Sequence, residues 1–149
     1  MSAALHLAGP DDLAKLEPLV ATFHDHIGQQ SDEAARLAML TPVLDGTPLA
    51  VVYLIGIRRA PVGYIALSFG YSFAMGGITA SVEEFFIREK LRRRGMGGEV
   101  LGSLASALSG HGVVAMRVSA LPWLRPCEKL FYRALFRADE GAPELIRRL

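Results

Sequence analysis

The chain has one cysteine, Cys127, among 149 residues. No disulfide can form within it, and a lone thiol fits a reducing, cytoplasmic setting. With no obvious histidine partner in sequence, Cys127 reads as a packed or incidental thiol rather than a nucleophile. No uninterrupted apolar stretch reaches the ~18 residues that a membrane-spanning helix needs. The N-terminus meets Asp11 and Asp12 early and lacks the basic-then-apolar order of a secretory signal. Neither charge is in excess: 16 Lys and Arg stand against 15 Asp and Glu, a formal net charge of +1. That balance argues against a bulk polyanion, nucleic acid included, as the partner. Repeats at solenoid periods, low-complexity tracts and linker-like stretches are all missing. What is left is a single domain over residues 1–149, long enough to bury a core, with an apolar fraction of 51%.

Hydrophobic periodicity orders that domain. Ala3 to Ala8 alternates weakly, as a first strand would. Pro10-Asp11-Asp12 opens a helix carrying Leu13, Leu16, Leu19, Val20 and Phe23, which Gly28 ends. Ser31-Asp32-Glu33 starts a second helix with Leu37, Leu40 and Leu44, and Pro42 is expected to kink or end it. Leu49 to Ile57 is a nearly continuous apolar strand, Arg58 to Pro61 a turn, and Val62 to Tyr71 the returning strand of a hairpin. After the Met75-Gly76-Gly77 loop, Ala80 to Ile87 is a further strand. Met96 to Ser109 is a helix, Val113 to Val118 a strand, Pro126 to Phe136 a helix, and Leu145 to Leu149 a closing strand. Hairpins followed by a β-α-β unit predict an α/β (α+β) fold with a mixed sheet.

One stretch carries chemistry. After the apolar run Phe85-Phe86-Ile87 come Arg92, Arg93 and Arg94, then Gly95-Met96-Gly97-Gly98 at the start of a helix. A helix N-terminus already bears partial positive charge, so three arginines there are unfavourable unless an anion joins them. Glycines keep side chains from standing between an anion and the backbone N–H groups. The segment reads as a cradle for a nucleotide-derived pyrophosphate.

Arg92-x-x-Gly95-x-Gly97 behind that strand resembles the acetyl-CoA signature of the GNAT (Gcn5-related) N-acetyltransferases. The strand Val113 to Val118 and a helix holding Phe131-Tyr132 resemble the family's second block, and the element order agrees from about residue 3 onward. Val82-Glu83-Glu84-Phe85-Phe86-Ile87 is similar to the strand of the small polyamine and diamine acetyltransferases. The resemblance implies a GNAT fold: a mixed sheet of six to seven strands, splayed at the cofactor site between the strands ending at Ile87 and Val118, with about four helices. It implies direct acetyl transfer from acetyl-CoA to a primary amine of a small molecule, no metal, and a homodimer. Backbone N–H groups from Arg93 to Gly98, Met96 included, would hold the pyrophosphate. Arg92 would pin the turn or reach a phosphate, and Arg93 and Arg94 would meet the 3′-phosphate or stay solvated. The backbone of Phe85, Phe86 and Ile87 would border the pantetheine as an added strand does, and an N–H near Ile87 or Arg88 would polarise the thioester. The chain departs from the family pattern at Arg125, where asparagine is usual, and at Leu135-Phe136, where Gly-Phe is.

Glu83 and Glu84 are adjacent, so simple alternation sends one to each face of an apolar strand. An ionised carboxylate is costly there without a partner or a task. A salt bridge or exposure at the splay is one account; service as general base or ammonium anchor is the other, since an amine with pKa near ~10 arrives protonated. The resemblance gives Glu83 the base's role and Glu84 the substrate anchor's. Tyr132 is either a core aromatic or, by family position, the proton donor to departing coenzyme A. His24 and His26 share no helix face and read as surface or rim residues. Trp123, Tyr71 and Phe73 are candidates for an acceptor-pocket wall or a subunit contact. The rival from another class is a non-catalytic acyl-CoA-binding module, or an enzyme acting on a protein or peptide amine.

Overall fold

The structure, a computed structural model, describes residues 4–119, 123–138 and 147–148. Its order is β1 (Leu5–Leu7), α1 (Leu13–His26), α2 (Glu33–Leu44), β2 (Ala50–Ile57), β3 (Ala60–Ser72), β4 (Gly77–Ile87), α3 (Met96–Gly110), β5 (Val113–Val118) and α4 (Glu128–Arg133). The strands form one sheet in sequence order, antiparallel except for the parallel β4–β5 pair. This is the mixed α/β architecture read from the sequence. The described residues supply five strands rather than six or seven; most of the expected closing strand, Leu145 to Leu149, lies outside them.

The sheet separates two cores. Leu16, Leu19, Val20 and Phe23 of α1 and Leu40 and Leu44 of α2 pack against Val52, Leu54, Tyr64 and Phe86. On the other face Val100, Leu101, Leu104 and Leu108 of α3 and Phe131 of α4 cover Ile55, Ile65, Leu67, Ala80, Val82 and Ile87. Helix spacing of apolar residues, seeking a pleated apolar surface, explains both layers.

Three local expectations need correction. Of the two outcomes expected at Pro42, an end to the helix does not occur: α2 runs on to Leu44, Thr41 Oγ1 donates to Leu37 O at 2.7 Å, and Leu44 is buried. Ala60 and Pro61 belong to β3: the hairpin closes on Arg58-Arg59, and a bulge that leaves Val62 as the extra residue brings Pro61 opposite Gly56, itself at φ +97°. The last helix is shorter than Pro126 to Phe136. A 3₁₀ turn over Arg125–Cys127 leads into α4, and Leu135 (φ +72°) lies beyond its end.

Candidate active site

Strands β4 and β5 pair only from Ile78 to Val82, against Val113 to Val118. Beyond Val82, residues 83–87 keep β3 on one edge and have no strand on the other among the described residues. The sheet is therefore splayed where the sequence places the cofactor. Arg88 N–H donates to Val62 O, and Phe86 O lies 2.1 Å from where a Cβ on Gly63 of β3 would sit. Both groups face β3. Backbone alternation then turns the Phe85 and Ile87 groups toward the gap. With Arg88 N–H engaged, Ile87 N–H is the donor on the open edge.

Arg92 closes this edge at its end. Its Nε donates to Ile87 O at 2.7 Å, and its guanidinium lies 5.6 Å from the Phe86 ring centroid. Arg92 thus pins the turn. Arg93 and Arg94 are exposed, and Arg93 holds φ +63°, a left-handed conformation that only a few per cent of non-glycine residues adopt. Gly95, at φ +79°, is the N-cap of α3 and contributes no side-chain oxygen to the first N–H groups. Those N–H groups have no acceptor within the helix and point at whatever anion sits beyond it.

The three glycines have separate reasons. Gly95 supplies the left-handed backbone. A Cβ on Gly97 would lie 2.8 Å from Leu130 Cδ2, so that glycine lets α4 seat against α3, and Gly98 borders the same side chain at 4.0 Å. At Gly97 the clearance serves helix packing rather than an open path to the anion.

The glutamates occupy a β-bulge. Ala66 pairs with Glu84 and Leu67 with Val82, leaving Glu83 as the extra residue. The bulge reverses the alternation: Val82 faces the α3 core while Glu84 reaches α1. Glu83 leans to the α1 side as well, because it accepts from Ser68 Oγ at 3.0 Å, and Ser68 shares its face with Ala66 and Tyr64. Simple alternation, one glutamate to each face, fails here. Glu83 is exposed. Glu84 is 16% exposed; its Oε1 accepts from Tyr64 OH at 2.7 Å and its Oε2 lies 2.7 Å from His24 Nε2.

His24 is therefore no rim residue. It is 2% exposed, and its Nδ1 lies 2.8 Å from Ser31 Oγ; only His26 is exposed as expected. His24 sits one position beyond the apolar Phe23, and its burial could not be read without knowing which strand residue it faces. Burial, and then the charge and hydrogen bond of Glu84, push the Tyr64 hydroxyl far above the ordinary tyrosine range. Tyr64 is a fixed donor to Glu84.

Tyr132 lies on α4 beside buried Phe131, which meets Phe85 edge-to-face at 6.2 Å. Its own side chain is 43% exposed and donates to Glu128 Oε1 at 3.0 Å, a bond that raises its pKa. Arg125 is exposed on the preceding turn. Trp123 touches both cores, with ring centroids 6.0 Å from Phe23 and 6.3 Å from Phe131. Tyr71 and Phe73 pair at 5.9 Å on the exposed β3–β4 tip. Cys127 donates to Trp123 O at 3.4 Å, and burial raises its pKa. Among the described residues no cluster of His, Cys, Asp and Glu is placed to hold a metal ion, and no helix is long and apolar enough to cross a membrane.

No protein-family model matches the sequence, and no curated protein matches it. Solved structures do. An integron cassette protein from the mobile metagenome of Cole Harbour Salt Marsh is 27% identical, with a TM-score of 0.82 over 97% of this chain and 90% of that one. A ribosomal-protein-alanine N-acetyltransferase from Brucella melitensis biovar Abortus 2308 is 15% identical, with a TM-score of 0.79 over 99% and 100%. AAC(6')-Iy, in complex with the bisubstrate analog CoA-S-monomethyl-acetylneamine, is 14% identical, with a TM-score of 0.80 over 100% of both chains. The fold is that of the GNAT acetyltransferases, as the resemblance implied.

Proposed function

We propose that this chain is an acetyl-CoA-dependent N-acetyltransferase acting on a primary amine of a small cationic molecule: a diamine, a polyamine or an amino-acid-like amine. One observation carries the reading. The open edge of β4 at Phe85 and Ile87 runs through the Arg92-pinned turn straight into the uncapped N-terminus of α3. A strand-like pantetheine beside the first and a diphosphate beyond the second fit that continuous arrangement. Arg93 and Arg94 supply exposed positive charge there, and Gly95 to Gly98 the backbone. The same fold in an enzyme complexed with a CoA-containing bisubstrate analog supports it.

Acetyl-CoA supplies an activated thioester. The amine nitrogen bonds to its carbonyl carbon, the carbon–sulfur bond breaks, and the thiolate takes a proton. Ile87 N–H faces the developing oxyanion. Glu83 and Glu84 lie on one face, where two carboxylates attract an alkylammonium and remove its proton. The resemblance gives the proton to Glu83 and the anchoring to Glu84. Tyr132, whose hydroxyl donates to Glu128 Oε1 at 3.0 Å, turns from that partner to protonate the leaving thiolate. A cytoplasmic homodimer belongs to the same proposal, and light scattering tests the dimer.

The test is thiol release from acetyl-CoA across a panel of polyamines, diamines, aminoglycosides, amino acids and peptide N-termini, repeated with Glu83→Gln and Tyr132→Phe. Turnover with a small amine, reduced about 10²–10⁴-fold in each variant, is the expected result. Coenzyme A binding without turnover on any amine would instead identify a non-catalytic module.

A further inference from the structure

The hydrogen bonds beneath the glutamate pair all run in one direction. A guanidinium only donates, so Arg36 Nη1 gives to Ser31 O at 2.6 Å and to Ser31 Oγ at 3.2 Å. An ionised carboxylate only accepts, so Glu84 Oε2, 2.7 Å from His24 Nε2, places the imidazole hydrogen on that nitrogen. Nδ1 is then the acceptor, and the Ser31 hydroxyl, 2.8 Å away, donates to it. These partners assign His24 as a neutral imidazole in a single tautomer. Tyr64 OH donates to the other carboxylate oxygen at 2.7 Å. Each oxygen of Glu84 thus has one protein donor and room for another. Neither donor is a cation. Asp12 meets Lys15 and Arg58, and Glu17 meets Arg36. Among the described residues no lysine or arginine pairs with Glu84, although only 16% of its side chain is exposed. A carboxylate so withdrawn from water is costly without a countercharge, and a cationic ligand would offset that cost. Glu83 differs: it is exposed and accepts from Ser68 Oγ at 3.0 Å.

We infer that His24 and Tyr64 are positioning residues that hold Glu84 as a fixed receptor for a second ammonium, one that is not acetylated, so that the acceptor is a diamine or polyamine. The inference rests on the acetyltransferase reading and narrows its substrate class. One ammonium of the acceptor loses a proton to Glu83, and its nitrogen takes the acetyl group. The other keeps its protons and lies against Glu84. Two neutral donors suit this task better than an arginine would, because they orient the carboxylate without cancelling its charge. The row from Arg36 through Ser31 keeps the imidazole hydrogen aimed at Glu84. A monoamine leaves the receptor empty. An amino acid brings its own carboxylate toward two groups of the same sign. His24 and Tyr64 act through Glu84 and do no chemistry themselves.

The test is steady-state thiol release at saturating acetyl-CoA with linear α,ω-diamines and the n-alkylamines of matching length. For the parent, kcat/KM with the best diamine exceeds that with its matched monoamine at least about tenfold. In Glu84→Gln, Tyr64→Phe and His24→Leu that ratio falls toward one. The diamine's KM rises at least about fivefold, because a contact made equally in ground and transition states acts through KM. His24→Gln, whose amide N–H stands in for Nε2–H, keeps that KM within about threefold of the parent. General damage to the fold would lower turnover of both amines together, and glutamine would not repair it. Should His24→Leu fail to fold, Tyr64→Phe, which removes only a hydroxyl, carries the test. A parent that acetylates the monoamine as well as the diamine, a donor-deleted variant that keeps the parent's ratio, or a His24→Gln no better than His24→Leu overturns the receptor alone. A parent protein that turns over no amine overturns the acetyltransferase reading, and the receptor with it.

Discussion

Arg92 turns its Nε back onto the carbonyl oxygen of Ile87, 2.7 Å away, and so ties the cofactor turn to the last open residue of β4. The guanidinium also lies against Phe86. Its work is therefore to set the geometry between strand and helix. Arg92→Ala should weaken coenzyme A binding about tenfold, ~1.4 kcal/mol. Arg92→Lys should recover little of that, because a lysine ammonium cannot reproduce a planar guanidinium on an aromatic face. Exposed Arg93 and Arg94 should show salt-dependent losses instead. Calorimetry at two ionic strengths separates these cases.

Gly95 and Gly97 differ although both belong to the signature. Gly95 sits at φ +79°, so Gly95→Ala should destabilise the fold by about 1 kcal/mol and also disturb the anion site. At Gly97 a new methyl meets only the flexible end of Leu130. Gly97→Ala should leave coenzyme A affinity within about threefold, with a stability change under ~1 kcal/mol because alanine's helix propensity offsets the crowding. Thermal melts and titrations of the two variants should diverge. Equal losses would refute the separate roles.

Acid stability should depend on Asp12, which is 1% exposed and bonded to Arg58 (2.9 Å), Lys15 (3.1 Å) and Gly9 N–H (2.9 Å). The Arg58 hydrogen bond comes first among the causes that hold its pKa well below the usual carboxylate range. A depressed folded-state pKa contributes stability above the unfolded value near ~3.9, and that stability is lost as pH falls. Asp12→Asn should therefore cost about 1–3 kcal/mol at neutral pH. The gap from the parent should shrink below pH ~4. A gap that stays constant down to pH ~2 would contradict the assignment. Denaturant midpoints across that range measure it.

Trp123 is the only tryptophan and stands between Phe23 and Phe131, one from each core. A ligand entering beside β4 changes the surroundings of that indole. Titration with acetyl-CoA should shift its fluorescence saturably, and ATP at equal concentration should not match the change. An unchanged spectrum at saturating ligand would place the cofactor elsewhere.

Much of this was legible in the chain because local pattern and tertiary demand agree. The apolar spacing of α3, the strand Val113–Val118 and the Asp32 N-cap, which accepts from Ala35 N at 2.8 Å, are all where periodicity and capping rules place them. Pro42 misleads because buried Leu44 two residues on outweighs its cost. The Glu83 bulge was hidden, since an extra residue in a strand leaves no composition signal, and with it went the facing of both glutamates. The role of His24 was hidden for the same reason: its partner is 60 residues away, and only the bulge turns that partner inward.

Isothermal titration calorimetry with coenzyme A tests the central claim most directly, because it needs no knowledge of the amine. The account predicts saturable heat at one site per chain, with a dissociation constant in about the micromolar range and affinity reduced in Gly95→Ala and Arg92→Ala. No heat of binding for the folded protein, or equal binding by both variants, would contradict it.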